Sequence, residues 1–166
     1  MGVLEYADRL ADGGDMKVLL YRGTGPTSRL IRFQTRSPYS HAAMMMDDGT
    51  VIEARMRGGV KHVATPWTRH RKNTPVEVYA IKGDFDEEKV ESFLLSQLGK
   101  KYDWLSVLRF VSRRKAPADD RWFCSELILA ALLDGGKRLL NGLSSVLSPR
   151  DMQLSTELEY EKTMTD

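Results

Sequence analysis

The chain has 166 residues, of which 42% are hydrophobic and 29% charged, as is ordinary for one globular domain. Its formal charge of +2 is too small to indicate a nucleic-acid partner, and no apolar run approaches the roughly 18 residues that a transmembrane helix requires. The single cysteine excludes an intramolecular disulfide and any multi-cysteine metal site. We therefore expect a single domain over residues 1–166.

The N-terminal segment carries Glu5, Asp8, Arg9 and Asp12 among its apolar residues, which distinguishes it from a signal peptide. The same spacing predicts a short amphipathic helix over residues 3–10. We therefore expect a cytoplasmic protein.

Further along the chain, hydrophobic patterns predict strands and then mainly helices. The predicted strands are short apolar or alternating runs at residues 17–21, 41–46, 50–55, 59–63 and 76–81. The predicted helices are 26–32, opened by a proline, then 86–98, 102–111 and 122–133, with a short last helix capped by Ser148. We expect the tail at 157–166 to be frayed. This order predicts an α+β fold with a mainly antiparallel sheet.

Cys124 stands at the beginning of an apolar helical stretch. Asp119 and Asp120 are suitable N-caps, which would place Cys124 in about the first turn of that helix. The helix dipole and the free N–H groups there favour a thiolate and can hold an oxyanion. A buried core cysteine is the alternative interpretation, because Leu127 and Ile128 fall on the same helical face.

The segment Asp47-Asp48-Gly49 predicts a tight turn between two strands, and the length of the turn decides which residues share a face. A three-residue loop with Gly49 in the left-handed conformation puts His41 and Glu53 on one face of the sheet. Glu53 can then orient the His41 ring and stabilise its charged form after His41 accepts the thiol proton. A two-residue turn puts them on opposite faces, and then both are ordinary surface residues.

These motifs resemble those of a known family. The segments Ser40-His41-Ala42-Ala43-Met44 and Thr50-Val51-Ile52-Glu53-Ala54 resemble the histidine hairpin of NlpC-type papain-like hydrolases. The later Phe123-Cys124-Ser125-Glu126-Leu127, together with Tyr102-Asp103 and residues 147–152, is similar to the circularly permuted branch, the YiiX/YaeF-like proteins. The resemblance covers about residues 17–155. It implies a permuted papain-like fold in which the helix of Cys124 packs on the sheet and places the thiol over His41.

Three further residues are candidates for the predicted site. Tyr102 is a candidate for stabilising an oxyanion or for positioning Cys124, as an upstream tyrosine does in related enzymes, with ordinary packing as the alternative. Arg55 and Ser40 are candidates for binding substrate.

The stretch from Arg55 to Lys72 is rich in basic residues, and it would attract an anionic substrate unless it is simply a solvated loop. Two of its residues, His62 and His70, lack the carboxylate and cysteine companions of a zinc site in the sequence. We therefore predict no metal and no cofactor.

Together these features predict a thiol hydrolase that cleaves an amide bond in a small peptide or a murein-like fragment through a thioester acyl-enzyme. A second hypothesis is acyl transfer or hydrolysis of a lipid-like substrate, since lecithin–retinol acyltransferase-like proteins have a similar order of His and Cys. A non-catalytic binding protein is the third hypothesis. The presence of Cys124, His41 and Glu53 together argues against it.

Overall fold

The computed structural model describes residues 15–103, 121–140 and 148–166. The helices and strands, in chain order, are β1 (Lys17–Tyr21), α1 (Pro26–Thr35), β2 (His41–Met45), β3 (Val51–Arg55), β4 (Gly59–Val63), β5 (Val76–Ile81), α2 (Glu87–Ser96), β6 (Lys101–Tyr102), β7 (Arg121–Trp122), α3 (Cys124–Asp134), α4 (Pro149–Gln153) and β8 (Leu158–Met164). The helix predicted over residues 3–10 and most of the one predicted over 102–111 lie outside the described residues.

Six strands form one sheet in the order β4-β3-β2-β1-β5-β8, and every neighbouring pair in it is antiparallel. The predicted α+β class with a mainly antiparallel sheet is therefore confirmed. Strands β6 and β7 form a separate parallel pair. No helix within the described part of the chain is long and apolar enough to cross a membrane.

Both faces of the central strands are buried. On one face, α3 packs over β2, and Leu127 joins Ala42 and Met44 in the larger hydrophobic cluster. On the other face, a smaller cluster is formed by Leu19, Tyr21, Ala43, Met45, Val51, Val76 and Val78. Because neither face is open to water, a polar side chain on either face of these strands is buried and needs a partner.

The prediction of a frayed tail is wrong, since residues 158–164 form the edge strand β8, which pairs with β5. Most of its side chains are exposed, and Glu159, Glu161 and Lys162 lie among them. Charged residues are typical of edge strands, where they discourage pairing with another chain. Because of that composition the segment lacks the apolar alternation that identifies a strand in a sequence. Its pairing with β5 is therefore evident only from the structure.

Helix boundaries differ from the predicted ones by a few residues. The helix predicted from residue 122 begins at Cys124, because Trp122 belongs to β7 and Phe123 is the N-cap. The side chain of Glu126 accepts a hydrogen bond from the Phe123 N–H at 3.2 Å, which is the stabilising contact of this helix start. The predicted caps, Asp119 and Asp120, lie outside the described residues. The cap at Ser148 is confirmed: its Oγ accepts from a backbone N–H of the first turn of α4.

Candidate functional site

The β2–β3 hairpin has the register predicted from a three-residue loop. Gly49 is in the left-handed conformation with φ 79°, and the Met46 N–H donates to the Thr50 carbonyl at 2.8 Å. Met44 lies opposite Ile52, so the alternation of side chains puts His41 and Glu53 on the same face of the sheet. The condition on which the predicted His–Glu pair depended is therefore met.

His41 and Glu53 form a buried ion pair. Nε2 of His41 lies 2.6 Å from Oε2 of Glu53, and the Glu53 side chain is 1% exposed. Burial alone would lower the pKa of His41, but its hydrogen bonds to Cys124 and to Glu53 raise that pKa to about 9. Burial likewise opposes ionisation of Glu53, yet hydrogen bonds from two histidine rings hold its pKa far below the usual value. The pair is therefore charged at neutral pH.

Cys124 is the first residue of α3 and is fully buried within the larger hydrophobic cluster. Its thiol nevertheless lies beside the His41 ring and helps to raise the pKa of that imidazole. Since Nε2 of His41 faces Glu53, the other ring nitrogen is the one that can meet the sulfur. His41 is the first residue of β2, and this terminal position lets it reach both the carboxylate and the start of α3. Cys124 can therefore belong to the hydrophobic core and still reach the His41 ring.

Tyr102 also contacts the thiol, although it is far from Cys124 in sequence. It pairs with Trp122 in the parallel β6–β7 ladder, and the neighbouring Asp103 N–H donates to the Trp122 carbonyl at 3.0 Å. Tyr102 lies beside Cys124, and burial together with the nearby Cys124 and Glu126 raises the pKa of its hydroxyl well above the usual value. Tyr102 therefore stays a neutral hydrogen-bond donor beside the sulfur.

A glycine allows the β6 segment to approach the sheet. Gly59, at the start of β4, has φ 67°, and a Cβ atom there would lie 2.0 Å from the carbonyl oxygen of Lys100. The Val60 N–H donates to that same oxygen at 2.9 Å. No other residue type fits this position without moving the chain that leads into Tyr102.

His70 belongs to the site, although the sequence did not predict this. Its Nε2 lies 3.3 Å from Oε2 of Glu53, and its ring stacks on Tyr21 with centroids 4.2 Å apart. Arg55 fixes the loop that carries His70 by donating to the carbonyls of Thr68 at 3.2 Å and of Arg69 at 2.9 Å. Burial lowers the pKa of His70, and the charge on His41 adds to that effect. No local pattern in the sequence marks this residue, because His70 lies in a loop and its carboxylate partner, Glu53, lies on β3.

His41, Glu53 and His70 therefore form one cluster, which we call the His–Glu–His cluster. Each offers one ligand atom, and the three atoms lie within 4.8 Å of one another. Oε1 of Glu53 is buried and accepts no hydrogen bond from residues 15–103, 121–140 or 148–166, with the Arg55 guanidinium 3.5 Å away. The reason for predicting no metal, that His70 lacks a carboxylate companion, is wrong. His62 lies elsewhere: its Nε2 contacts the Thr50 hydroxyl at 2.6 Å, at the opposite end of the hairpin.

The two residues predicted to bind substrate have structural contacts as well. Ser40 Oγ accepts a hydrogen bond from the Gly23 N–H at 3.1 Å and lies 3.3 Å from the Tyr21 carbonyl, to which it donates. Arg55 holds the His70 loop as described. Both line a cavity of about 510 Å³ that is also bordered by Gly23, Thr27, Ser28, Ile31, His41, Met56, Arg57, Arg69, His70 and Tyr102. The cavity thus brings together four of the predicted site residues, Ser40, His41, Arg55 and Tyr102, whereas Cys124 and Glu53 are buried behind its wall.

No protein-family model and no curated protein sequence matches the chain. Among solved structures, the crystal structure of the metalloprotein YiiX from Escherichia coli O157:H7 matches with a TM-score of 0.68 and 21% sequence identity. The match covers 90% of this chain and 97% of YiiX. At this identity the likeness establishes a shared fold. The predicted resemblance to YiiX-like proteins is thus supported at the level of the fold.

Proposed function

We propose that the protein is a cysteine hydrolase with a permuted papain-like fold, which cleaves an amide bond through a thioester acyl-enzyme. The observation that carries the proposal is the continuous chain of contacts from thiol to carboxylate. Cys124 lies beside the His41 ring and helps to raise its pKa, and Nε2 of His41 lies 2.6 Å from the buried Glu53. A nucleophile, a base and a residue that orients the base are the three parts that such catalysis needs.

In the proposed reaction His41 holds the proton of Cys124 as an imidazolium, and the thiolate attacks the carbonyl carbon of the amide. A C–S bond forms, the C–N bond breaks, and the leaving amine takes the proton from His41. Water then gives a proton to His41 and attacks the thioester, so that a C–O bond forms and the C–S bond breaks. The Cys124 thiolate is released beside the His41 imidazolium, which restores the starting state. Glu53 stabilises the imidazolium in both halves of this cycle.

Tyr102 would supply the oxyanion contact. Its hydroxyl lies at the sulfur, borders the cavity and remains protonated, so it can donate to the oxygen that becomes negative during attack. The N–H groups in the first turn of α3 are further donors near the same atom. Because Cys124 is fully buried, acylation requires a movement that uncovers its sulfur.

Alkylation with iodoacetamide tests the proposal, since Cys124 is the only cysteine in the chain. We expect fast labelling already at pH 6, reduced by about tenfold or more in His41→Ala. His62→Ala is a matched control, because His62 lies on the same sheet away from the thiol and should leave the rate unchanged. Labelling that rises only near pH 8.5, the value of an ordinary thiol, and that ignores His41→Ala would contradict an activated nucleophile.

The substrate arm of the test is mass spectrometry of Cys124 after incubation with peptide and lipid panels. An acyl adduct from peptides supports amide hydrolysis, whereas an adduct from lipid esters alone supports the acyltransferase hypothesis. If neither panel is turned over and the thiol is unreactive, the hypothesis of a non-catalytic binding protein remains.

A second candidate function is metal binding by the His–Glu–His cluster. Two imidazoles and one carboxylate are a ligand set of zinc sites, and the YiiX structure is that of a metalloprotein. Here His41 would bind the ion through Nε2, and Glu53 would offer the oxygen that now lacks a hydrogen bond. The two functions compete for His41.

Calorimetric titration with zinc chloride separates them. If the cluster holds the ion, His70→Phe abolishes binding while its ring still stacks on Tyr21, and zinc slows the alkylation of Cys124 in the unmodified chain. Alkylation in His70→Phe then falls by less than about tenfold, because His41 and Glu53 remain. Zinc that does not bind, or that binds equally to His70→Phe, contradicts this second function and leaves the hydrolase intact.

A further inference from the structure

The cavity beside Cys124 carries an excess of positive charge. Arg55, Arg57 and Arg69 line it together with the two histidines of the His–Glu–His cluster, and no aspartate or glutamate is among its described lining residues. The carboxylate of Glu53 lies behind His41, where its charge is balanced by the His41 imidazolium. The wall that a substrate meets is therefore cationic.

Two of the three arginines are available to a ligand. Arg55 is occupied by the carbonyls of Thr68 and Arg69 and by Glu53. Arg57 and Arg69 are exposed, and within the described part of the chain neither has a carboxylate partner. An unpaired guanidinium offers a fork of donors that matches a carboxylate or a phosphate.

The backbone holds Arg69 in an uncommon conformation at this place. Its φ is 65°, in the left-handed region that a residue with a side chain seldom occupies. The carbonyl of Arg69 is held by Arg55 at 2.9 Å, while its own guanidinium lies close to Gly58, the residue after Arg57. Strained backbone of this kind persists where surrounding contacts impose it, and it is common at ligand sites.

The rest of the lining suits a small ligand. The hydroxyl-bearing residues Thr27 and Ser28 face the cavity from α1, and the apolar Ile31 and Met56 complete it. A volume of about 510 Å³ is that of a site for a small molecule.

We infer that the substrate carries an oxyanion group, a carboxylate or a phosphate, which Arg57 and Arg69 bind while the acyl carbon lies at Cys124. This inference rests on the proposed function and names its substrate class. The anion raises the local concentration of substrate at the thiol and fixes its orientation, because both arginines border the same opening as His41 and Tyr102.

The test compares two alkylating reagents of nearly equal size, iodoacetate and iodoacetamide, which differ in charge. We expect the ratio of their rates at Cys124 to favour iodoacetate and to fall by roughly fivefold in each of Arg57→Gln and Arg69→Gln. Added potassium chloride should lower the ratio as well. Arg138→Gln is the matched control, since Arg138 is exposed beyond the opposite end of α3 and its loss should leave the ratio unchanged.

A second readout does not depend on the thiol chemistry. Calorimetric titration of the unmodified chain with N-acetylglycine and with inorganic phosphate identifies which oxyanion binds, and binding should be lost in Arg57→Gln and Arg69→Gln. If iodoacetamide labelling depends on His41 but the reagent ratio ignores both arginines and neither anion binds, the anion inference is overturned and the hydrolase stands. If an anion binds through the arginines while labelling ignores His41, the anion site stands and the hydrolase is overturned.

Discussion

Two buried glutamates lie in the same sheet, Glu53 on β3 and Glu77 on β5, and their surroundings differ in kind. Glu53 contacts two histidines and Arg55. Oε2 of Glu77 accepts hydrogen bonds from two hydroxyls, Tyr39 at 2.6 Å and Tyr79 at 2.7 Å, and its other oxygen is paired with Arg22. Both carboxylates are therefore compensated for their burial.

The two glutamates differ in whether their partners titrate near neutral pH and in the contacts of their second carboxylate oxygen. Burial raises the pKa of Tyr39 and of Tyr79 further above neutrality, so both hydroxyls stay protonated over the ordinary pH range. The partners of Glu53 are imidazoles, which gain and lose protons in that range. Both oxygens of Glu77 have close partners, whereas Oε1 of Glu53 has the more distant Arg55 guanidinium at 3.5 Å and accepts no hydrogen bond from the described part of the chain. Burial of a carboxylate is thus a poor sign of function, and the proton chemistry of its partners is a better one.

The largest expected effect is on the reactivity of the thiol. Glu53→Gln removes the charge that stabilises the His41 imidazolium and keeps the size of the side chain, so we expect iodoacetamide labelling at pH 6 to slow by about 100-fold. Glu77→Gln is the matched change in the other cluster and should alter the rate by less than about twofold. Equal rates in the two variants would remove the distinction between the clusters.

The pH dependence of stability is the second expected effect. The pKa of His41 is raised from 6.5 to about 9, so its contribution is complete below pH 6.5 and is lost as the pH rises through 9. The difference in unfolding free energy between the unmodified chain and His41→Gln, from urea titrations, should therefore shrink by something on the order of 3 kcal/mol between pH 6 and pH 9.5.

The depressed pKa of Glu53 sets the acid limit of the same interaction. Its contribution is present above the ordinary glutamate value and is lost as the pH falls below it. In the Glu53→Gln background the pH dependence due to His41 should become smaller, and the part due to Cys124 should remain. A difference that stays constant from pH 6 to pH 9.5 would mean that His41 is not charged in the folded protein.

A smaller effect is expected on the stability of the Glu77 cluster. Glu77→Gln replaces a charged acceptor of two hydroxyls and places an amide donor near Arg22, at a cost of about 2 kcal/mol in unfolding free energy. Urea titration at pH 7 measures this loss, and the labelling rate of the same sample shows whether the site is intact. No loss of stability would mean that solvent replaces these contacts.

The smallest expected effect is on the free energy of unfolding when Glu77 loses one tyrosine hydroxyl. Tyr79→Phe removes a single hydroxyl from Glu77, while Tyr39 still donates, so we expect a loss of about 1 kcal/mol and unchanged labelling of Cys124. A change in labelling comparable to that of Glu53→Gln would show that the two clusters are coupled through the sheet.

Much of the fold was predictable because it depends on local patterns. The bounds of β1, β4 and β5 agree with the predicted ones, since apolar runs next to turn residues specify strands by themselves. The edge strand β8 was missed because its exposed, charged sequence has no such pattern. Tyr102 was predicted to begin a helix and lies instead in β6, a strand of two residues whose partner is 20 positions later in the chain.

The candidate site likewise has some contacts that were predictable from local sequence and one that was not. The pairing of His41 with Glu53 follows from the length of one turn, and the position of Cys124 at a helix start follows from the apolar stretch after it. His70 could not be found in this manner, because its contact with Glu53 depends on where Arg55 holds a loop.

By itself the sequence determined the class of fold, limited the β2–β3 hairpin to two registers, and identified His41, Glu53 and Cys124 as candidate site residues. These are matters of periodicity and turn geometry, which act over a few residues. Only the tertiary structure decided that Tyr102 and His41 meet the thiol, that His70 shares the carboxylate of Glu53, and that two unpaired arginines border the same cavity. Those contacts join separate elements, and the packing of both sheet faces, rather than any local pattern, brings them together.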